Sequence, residues 1–420
     1  MRVLVVGGGA REHTIVWKLL QSSHLDSLAI APGNGGTTEF ADNVPIADTD
    51  IDGLLKYVQT SGVEFTIIGP EAPLAGGIGH EFEAAGQLVF GPTKAAARIE
   101  SSKAFAKAIM AEGKVPTAKA AMFEDFDRAK EYVESAGAPV VIKADGLAAG
   151  KGVIIAETPE VAVDGLRRVM VNRDFGDAGR LVVVEEFLEG PEISAFTFAD
   201  GESISSLISA VDYPRPGEGN TGANCGGMGS YSPVLEPLWN DEIEAQIQTE
   251  IFEPVVKIMA EQGSPYKGVL YAGIILTQEG PKVVEFNCRL GDPEAQVLLP
   301  RLNTDLLELC LAVAEGDVNR VALEWDQKSW VGVVMASEGY PLEYDSGFEI
   351  SGLDSIDPDI LVFHAATKPV KDRVVTSGGR ILTVTASGST HQDARSRVYA
   401  NVERIGFDNA YYRRDIADFS

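Results

Sequence analysis

Four short apolar runs in the first hundred residues, each closed by glycine or proline, constrain the fold more than any other feature. They cover residues 3–6, 28–30, 65–68 and 88–90, and a helical pattern over 11–20 follows the first. Apolar strands that alternate with helices are typical of an open parallel sheet, whose ligands bind at the carboxyl ends of its strands. The pattern therefore predicts an α/β fold that begins with an open parallel-sheet domain over residues 1–100.

The chain from residue 101 onward follows a different pattern, in which many strands pair through short turns. Strands are expected at 139–144, 152–156, 181–186, 193–199, 204–210, 268–277, 282–287, 330–335, 361–365 and 380–385, and helices at 101–112, 159–170, 240–262 and 392–405. No period of 20–50 residues repeats, which argues against a solenoid. Because 420 residues are too many for one compact core, we predict a second region over 101–325 and a small mixed domain over 326–420.

The charge balance excludes several classes of partner. The chain has 62 acidic and 35 basic residues, which give a formal net charge of −27. Such a surface repels nucleic acids and anionic membranes, so we expect neither as a partner. The three cysteines, Cys225, Cys288 and Cys310, cannot form a disulfide framework, and no apolar stretch reaches the roughly 20 residues of a membrane span. We therefore expect a cytoplasmic protein whose acidity serves solubility or a salty cytoplasm.

The segment KADGLAAGKGV at 143–153 is the strongest local signal. Lys143 ends a predicted strand, a loop of small residues follows, and a second strand begins directly after Gly152. Small residues let backbone amides approach phosphate oxygens, while a lysine supplies a point charge. Gly146, Gly150 and Lys151 complete this candidate phosphate loop. It is not a Walker loop, because the lysine is not followed by Ser or Thr and no helix begins there. The alternative is an ordinary glycine-rich hairpin.

A second segment, VVVEEFLEGPE, follows about forty residues further on. The edge of a strand that runs into acidic and apolar residues suits adenine, which needs backbone donors and acceptors beside an apolar surface. A nearby carboxylate can hold the ribose hydroxyls. The candidate nucleotide-binding residues here are Glu185, Glu186, Phe187, Leu188 and Glu192. A solvated acidic turn is the alternative.

A third segment, VVEFNCRLGDPE at 283–294, indicates a metal site. Strand alternation would place Glu285, Asn287 and Arg289 on one face. One carboxylate and one amide oxygen suit Mg²⁺, which keeps waters and takes its other ligands from nucleotide phosphates. The arginine would then face the charge that develops on a transferring phosphoryl group. The alternative is a half-exposed strand face that carries Glu, Asn and Arg by chance.

These three segments, in this order, resemble the ATP-grasp superfamily. In that superfamily one phosphate-binding lysine precedes the flexible loop, here Lys143, and another comes from an upstream helix, here Lys103. The Glu-Phe-Asn strand brings the metal, here through Glu285 and Asn287. The resemblance implies a pre-ATP-grasp domain over 1–100 and a two-part ATP-grasp region whose mobile lid, about 120–188, closes over ATP.

Further motifs narrow the resemblance to the phosphoribosylamine–glycine ligase family, and the match runs from Arg2 to about Ala417. These motifs are GGGAREH at 7–13, GPEAPL at 69–74, the loop at 143–153, GGMG at 226–229, the segment at 285–294, GGR at 378–380 and YRRDI at 412–416. That family joins glycine to 5-phosphoribosylamine with ATP, giving glycinamide ribonucleotide, ADP and phosphate in purine synthesis. The resemblance implies a carbon–nitrogen ligase that uses Mg²⁺ or Mn²⁺, and we expect a monomer.

The resemblance also implies roles for individual residues. Arg289 would stabilise charge on a glycyl phosphate intermediate, and Asp292 and Asp212 would orient the amines. The expected substrate-binding residues are Gly8, Gly9, Glu12, His13, Glu71, Pro73, Arg215, Gly226, Gly227, Met228 and Gly291. For His13, a hydrogen-bonded histidine at the start of a helix is the alternative.

Three departures from the family pattern concern substrate recognition. Ala10 replaces a fourth glycine before Arg-Glu-His, and His80 stands where an aspartate is common. The third departure is a loop in which Tyr-Pro at 213–214 replaces a His-Lys pair, while Ala223 and Cys225 replace a proline and a threonine. The ATP and metal assignments are therefore firmer than the details of glycine and amine recognition.

Two other classes of function, a dehydrogenase and a non-catalytic nucleotide-binding module, can be compared with the sequence. A nucleotide-dependent dehydrogenase, suggested by the glycines after the first strand, needs an acidic residue at the end of the second strand. That strand instead ends in AIAPG. A nucleotide-binding module without catalysis would not need Lys103, Lys143, Glu285 and Asn287 together. A carboxylase or transformylase of the purine pathway remains an alternative within the superfamily.

Overall fold

The fold is described from a computed structural model of the chain, over residues 1–147 and 152–419. The predicted loop residues Gly150 and Lys151 lie outside these ranges. Across the described residues, no helix has both the length and the apolar character that crossing a membrane requires.

The amino-terminal region forms the predicted parallel sheet. Its strands are β1 (Arg2–Gly7), β2 (Ser27–Pro32), β3 (Asp42–Asn43), β4 (Phe65–Ile68) and β5 (Leu88–Phe90), and its helices are α1 (Ala10–Leu19), α2 (Ile51–Ser61), α3 (Glu71–Gly76) and α4 (Ile78–Ala84). Within residues 1–147 the strand order is β3-β2-β1-β4-β5, and all neighbouring pairs are parallel. The carboxyl ends of β1 and β4 therefore meet at one edge, where α1 and α3 begin.

A small lid carries the strands on either side of the glycine loop. Its elements are β6 (Ala120–Phe123), α7 (Phe126–Ala136), β7 (Val140–Ala144), β8 (Val153–Ala156), α8 (Pro159–Leu166) and β9 (Val182–Glu186). In the described part of the chain its four strands are ordered β6-β9-β7-β8 and are antiparallel. Ala129, Ile142, Leu166 and Val182 belong to a hydrophobic core of its own. The lid can therefore pack as a unit.

Most of the strands after the lid form one long antiparallel sheet. Its strands are β10 (Glu192–Asp200), β11 (Ile208–Asp212), β12 (Gly229–Ser232), β13 (Lys267–Thr277), β14 (Gly280–Asn287), β15 (Ser329–Ser337), β16 (Leu361–His364), β19 (Arg380–Gly388) and β20 (Ala410–Tyr411). Within residues 152–419 the order is β14-β13-β10-β11-β12-β15-β19-β16, with β20 beside β15. A separate hairpin consists of β17 (Thr367–Val370) and β18 (Arg373–Thr376). The long sheet thus crosses the boundary that we expected at residue 326.

The remaining helices pack against these sheets. They are α5 (Arg98–Ser101), α6 (Lys103–Glu112), α9 (Asp241–Ile247), α10 (Glu253–Glu261), α11 (Ala295–Leu298), α12 (Leu306–Glu315) and α13 (His391–Val402). The helix expected at 240–262 is two α-helices joined by a π-helical turn, Gln248–Phe252. Pro254 explains the break, because it has no N–H with which to continue the α-helical hydrogen bonds.

The prediction that Glu285, Asn287 and Arg289 lie on one face of a strand is wrong for Arg289. β14 ends at Asn287, so Arg289 does not belong to the strand. A shift in the pairing of β13 with β14 also falls between Gly273 and Ile274, which pair with Glu285 and Val283. Arg289 nevertheless reaches Asn287, since its Nη2 donates to the amide Oδ1 at 3.1 Å.

Candidate active site

A cavity of about 600 Å³ opens between the lid and the long sheet. β7, β8 and β9 of the lid contribute residues to one side, and β11, β13 and β14 to the other. The predicted residues that line the cavity are Glu71, Lys103, Lys143, Gly152, Glu185, Glu186, Phe187, Leu188, Glu192, Asp212, Arg215, Gly226, Glu285, Asn287, Arg289 and Asp292. Residues that lie far apart in the sequence therefore face one volume.

The other described candidates do not line the cavity wall. They are Gly8, Gly9, Glu12, His13, Pro73, Gly146, Gly227, Met228 and Gly291. Two of them support wall residues directly. A Cβ on Gly227, whose φ is +86°, would come within 2.5 Å of Asp212 Oδ1, and a Cβ on Gly291 would come within 2.2 Å of Glu294 Oε2. These glycines allow the close approach of backbone and carboxylates.

Lys143 is buried and connects the lid to the long sheet. Its Nζ forms an ion pair of 2.9 Å with Glu185 Oε2 on β9 and donates to the carbonyl of Val284 on β14 at 2.8 Å. The other carboxylate oxygen of Glu185 pairs with Lys107 Nζ, also at 2.9 Å. Lys143 therefore lies directly beside the strand that carries the predicted metal ligands.

Lys103 connects the start of α6 to the glycine loop. Its Nζ donates to the carbonyl of Gly146 at 2.9 Å. Asp145 strengthens the same contact, because its carboxylate accepts from the backbone N–H of Ala104 at 3.0 Å and from the hydroxyl of Ser102 at 3.1 Å. Ser102 also caps the helix by accepting from the N–H of Phe105. The loop and the first turn of α6 thus hold each other in place.

Arg289 is held between two carboxylates. Its Nε donates to Glu71 Oε2 at 3.2 Å and its Nη2 to Glu100 Oε1 at 3.0 Å. Glu100 also accepts from the N–H of Cys288 at 2.8 Å. Burial alone would lower the pKa of Arg289, but Glu100 and Glu71 outweigh burial and raise it. The guanidinium group is therefore a fixed, permanent positive charge on the wall of the cavity.

The ion pair between Glu71 and Arg289 also shifts the pKa of Glu71. Burial alone would raise its pKa, but Arg289 and Arg11 outweigh burial and lower it to about 2. Arg11 Nη2 lies 3.9 Å from the Glu71 carboxylate. Glu71 is thus ionised at neutral pH and joins the amino-terminal domain to Arg289.

Asp292 is fixed by groups from three parts of the chain. Its carboxylate accepts from Gln296 Nε2 at 2.9 Å and from the backbone N–H of Arg11 at 3.3 Å, and Arg380 lies 3.4 Å away. Burial alone would raise the pKa of Asp292, but Arg380 and Arg11 outweigh burial and lower it. Arg380 also donates to the carbonyls of Gly226 and Asp292. The carboxyl-terminal region thereby orders the wall of the cavity.

Two other carboxyl groups hold their protons more tightly than usual. Desolvation by the surrounding cavity walls raises the pKa of Glu192 to about 7, and the Glu285 carboxylate adds to the shift. Burial also raises the pKa of Asp212 well above its usual range, with a further contribution from Glu294. A nearby cation lowers the pKa of a carboxyl group. This acidic part of the cavity is therefore electrostatically complementary to a metal ion or an ammonium group.

Glu285 and Asn287 fit a magnesium ion. Glu285 faces the cavity together with Glu192, and Asn287 offers an amide oxygen that a guanidinium N–H already contacts. Over residues 1–147 and 152–419, no cluster of three or more His, Cys, Asp or Glu side chains could hold a metal. Few protein ligands suit Mg²⁺, since this ion completes its coordination with waters and phosphate oxygens.

Glu12 and His13 have internal partners. Glu12 accepts from the N–H of Gly9 at 2.7 Å and from Arg11 Nε at 2.6 Å. His13 Nδ1 accepts from the backbone N–H of His364 at 2.9 Å, and burial lowers the pKa of His13 to about 3. These contacts cap α1 and fasten it to the carboxyl-terminal region, while the predicted contact of both residues with a substrate stays a prediction.

Several residues of the cavity or its immediate support were not predicted from the sequence. Lys107 lies one helical turn after Lys103, a spacing that places both on one face of α6 and could have indicated it. Arg380 belongs to the GGR motif, to which we gave no role. Glu100 and Arg11 offered no comparable signal, because only tertiary packing brings them beside Arg289.

The two-part architecture and the lysine and Glu-Phe-Asn constellation define an ATP-grasp enzyme, and comparison with known sequences narrows the class. Three domain models of phosphoribosylglycinamide synthetase match this chain: the N domain at 1–100, the ATP-grasp (A) domain at 101–295 and the C domain at 330–419. The chain belongs to the phosphoribosylglycinamide synthetase family, also called the phosphoribosylamine–glycine ligases.

Individual relatives agree with this assignment over their whole length. The chain is 47% identical to the phosphoribosylamine–glycine ligase of Escherichia coli over 99% of this chain and 98% of the relative. It is 44% identical to that of Halalkalibacterium halodurans over 99% and 96% of the two chains. The crystal structure of the Thermotoga maritima enzyme superposes with a TM-score of 0.86 at 31% identity, covering 99% of this chain and 100% of that one.

Proposed function

We propose that this enzyme ligates glycine to 5-phosphoribosylamine, using ATP, and releases glycinamide ribonucleotide, ADP and phosphate for purine biosynthesis. The observation that carries the proposal is the position of Lys143, whose Nζ lies 2.8 Å from the carbonyl of Val284, next to Glu285 in β14. A phosphate-binding cation and a metal-binding carboxylate thereby face the same cavity. A nucleotide γ-phosphate and a small carboxylate can meet there.

The nucleotide would lie between the lid and the long sheet. We assign the adenine to the edge of β9, beside Phe187 and Leu188, and the ribose to Glu192, all of which line the cavity. Lys103 and Lys143 would hold the phosphates. Glu185, Glu186, Gly146, Gly150, Lys151 and Gly152 complete the proposed ATP site. Lid closure would then exclude water from a reactive intermediate.

Glu285 and Asn287 would hold Mg²⁺, or Mn²⁺ in its place, beside the proposed position of the nucleotide phosphates. When bound, the ion would neutralise phosphate charge and orient the γ-phosphoryl group. This binding would also lower the pKa of the neighbouring Glu192, because a positive charge favours the ionised carboxylate.

The reaction would then proceed in two steps. A carboxylate oxygen of glycine attacks the γ-phosphorus, the bond to the ADP oxygen breaks, and glycyl phosphate forms. The amine of phosphoribosylamine next attacks the acyl carbon, loses a proton, and displaces phosphate. Arg289 would stabilise the acyl-phosphate oxygens, while Asp292 and Asp212 would orient the two amines. Positioning and electrostatic stabilisation carry most of the acceleration in such chemistry.

The sugar phosphate would bind at the carboxyl edge of the parallel sheet, where α1 begins. Helix amino termini attract phosphate through free N–H groups and the helix dipole. Gly8 and Gly9 allow the backbone to approach closely, and Glu12, His13, Glu71 and Pro73 surround them in the proposed site. Arg215 and the segment Gly226, Gly227 and Met228, with Gly291, would complete the binding of glycine and the amine.

Isotope transfer tests the proposed chemistry. Glycine labelled with ¹⁸O in both carboxylate oxygens should yield phosphate with one labelled oxygen per turnover, and an amide that keeps the other. Omitting glycine or phosphoribosylamine should each abolish product formation. Unlabelled phosphate formed together with the amide would refute the acyl-phosphate mechanism. Transfer from labelled formate or bicarbonate, without any from glycine, would indicate the carboxylase or transformylase instead.

We further propose the boundaries 1–100, 101–325 and 326–420, a lid over about 120–188, a cytoplasmic location and a monomeric state. The separate core of the lid and its four-stranded sheet support the lid boundaries. Sedimentation of the purified enzyme tests the monomer, which should have a mass near 44.8 kDa.

A further inference from the structure

The buried carboxylate of Glu185 lies between two lysines, Lys143 of the proposed ATP site and Lys107, which has no role so far. Glu185 Oε1 lies 2.9 Å from Lys107 Nζ, and its Oε2 lies 2.9 Å from Lys143 Nζ. The exposed fractions of the three side chains are 4%, 7% and 2%. One negative charge thus lies between two positive charges, almost out of contact with water.

The two lysines differ in how firmly they are held. Lys107 Nζ also donates to Thr117 Oγ1 and to the carbonyl of Ala118, both at 2.9 Å. With Glu185, these acceptors satisfy all three of its N–H groups. Among the described residues, Lys143 instead bonds to Glu185 and to one carbonyl, and it lines the cavity, which Lys107 does not. Lys107 is therefore the fixed member of the pair, and Lys143 is the one that can turn toward a ligand.

This asymmetry matters when a phosphate arrives. For Lys143 to bind the nucleotide phosphates, its contact with Glu185 must weaken. A buried carboxylate that loses its only partner is strongly destabilised. Lys107 removes this penalty, since it keeps Glu185 paired while Lys143 turns away.

We propose that Lys107 is a positioning residue for ATP, which holds Glu185 so that Lys143 can exchange its carboxylate partner for nucleotide phosphate. The proposal rests on the ATP site proposed above. It implies that removing Lys107 strengthens the hold of Glu185 on Lys143, and so weakens ATP binding without any contact between Lys107 and the nucleotide.

Titration calorimetry with magnesium ATP tests this role. We expect Lys107→Met to raise the Kd of ATP about tenfold and to raise the KM for ATP more than it lowers kcat. Lys267→Met is the matched control, because Lys267 is a half-buried lysine that donates to the carbonyl of Ala314, outside the cavity. This control should lower the Tm but leave the Kd of ATP within threefold of the unmodified enzyme.

A second substitution separates positioning from simple structural support. Neutralising the carboxylate in Glu185→Gln should make ATP binding insensitive to Lys107. We therefore expect Glu185→Gln and the double variant Glu185→Gln/Lys107→Met to bind ATP within threefold of each other. This comparison holds even where Lys107→Met alone does not fold.

Two results would overturn the proposal. One is a Lys107→Met enzyme with a lower Tm and an unchanged Kd. The other is a tenfold loss of ATP affinity when Lys107→Met is added to Glu185→Gln. Both readouts concern ATP binding, so they are distinct from the isotope test. An enzyme that binds ATP but transfers no label from glycine would refute the proposed ligation and leave the Lys107 result standing.

Discussion

Replacing Lys143 with methionine removes the charge that the proposed mechanism places at the ATP phosphates. Methionine keeps an unbranched apolar side chain of similar length, so the change isolates the ammonium group. In the structure that group forms an ion pair with Glu185 and donates to the Val284 carbonyl. The substitution therefore acts on catalysis and on stability, and the two effects can be separated.

The loss in catalysis should be the larger effect. Removing one preorganised donor from a developing oxyanion costs about 2–4 kcal/mol, or roughly 30- to 900-fold in rate. We expect the lower half of that range, because the free enzyme already satisfies Lys143 through Glu185 and part of the gain is an exchange of partners. Folding should lose about 1–3 kcal/mol, the cost of leaving the Val284 carbonyl without its donor. Lys107 keeps Glu185 paired, so no buried charge is left alone.

Phosphate release with glycine and freshly prepared phosphoribosylamine measures the first effect, and thermal unfolding measures the second. Lys267→Met again provides the control for loss of a half-buried lysine. If Lys143→Met bound ATP normally and turned over within threefold of the unmodified enzyme, the assignment of Lys143 to the phosphates would be wrong. A variant that did not fold would contradict the calculated cost of 1–3 kcal/mol.

Three further predictions concern the metal, the proposed catalytic role of Arg289 and acid stability. Glu285→Gln keeps the shape of the ligand but removes its charge, so half-maximal activity should need at least tenfold more Mg²⁺; an unchanged magnesium titration would place the metal elsewhere. Glu100→Gln leaves Arg289 with one charged partner, and we expect kcat to fall about tenfold while the KM for ATP stays within threefold; the opposite pattern would contradict a role for Arg289 in the chemical step. Burial lowers the pKa of His13 to about 3 and of His364 to about 4, below the ordinary histidine value of about 6.5, so the unfolded chain takes up protons first as the pH falls. Stability should therefore be complete above pH 6.5 and decline between pH 6.5 and about 4, by roughly 2 kcal/mol per histidine at pH 5. Urea unfolding at pH 7 and pH 5 measures this loss, which should be smaller in His13→Gln; an equal loss in both proteins would refute it.

Local patterns in the sequence were enough to predict most of the strands and the class of the enzyme. The run at 65–68 forms β4 with the predicted bounds, because three apolar residues and one threonine, followed by a glycine, suit a short strand buried inside a parallel sheet. The lysine before the glycine loop and the Glu-Phe-Asn strand identified the ATP-grasp class. Motifs spread along nearly the whole chain then identified the family.

The tertiary structure decided which groups act on one another. Arg289 was expected on a strand face, yet it lies beyond the end of β14 and is held by Glu71 and Glu100, which precede it by 218 and 189 residues. No local pattern encodes such distances, since they depend on how three regions pack. The same holds for Lys107, an ordinary helix residue in the sequence, which packing places 2.9 Å from a buried carboxylate.

The environment and the charge of each site residue likewise could not be predicted from the sequence. Glu71 and Glu192 are both glutamates beside a predicted site, but the pKa of the first is lowered to about 2 and that of the second is raised to about 7. Both line the same cavity, and the difference comes from their charged neighbours: two arginines face Glu71, whereas Glu285 faces Glu192. Residue type and spacing determined which side chains could perform the chemistry, and the packing around each of them determined its charge.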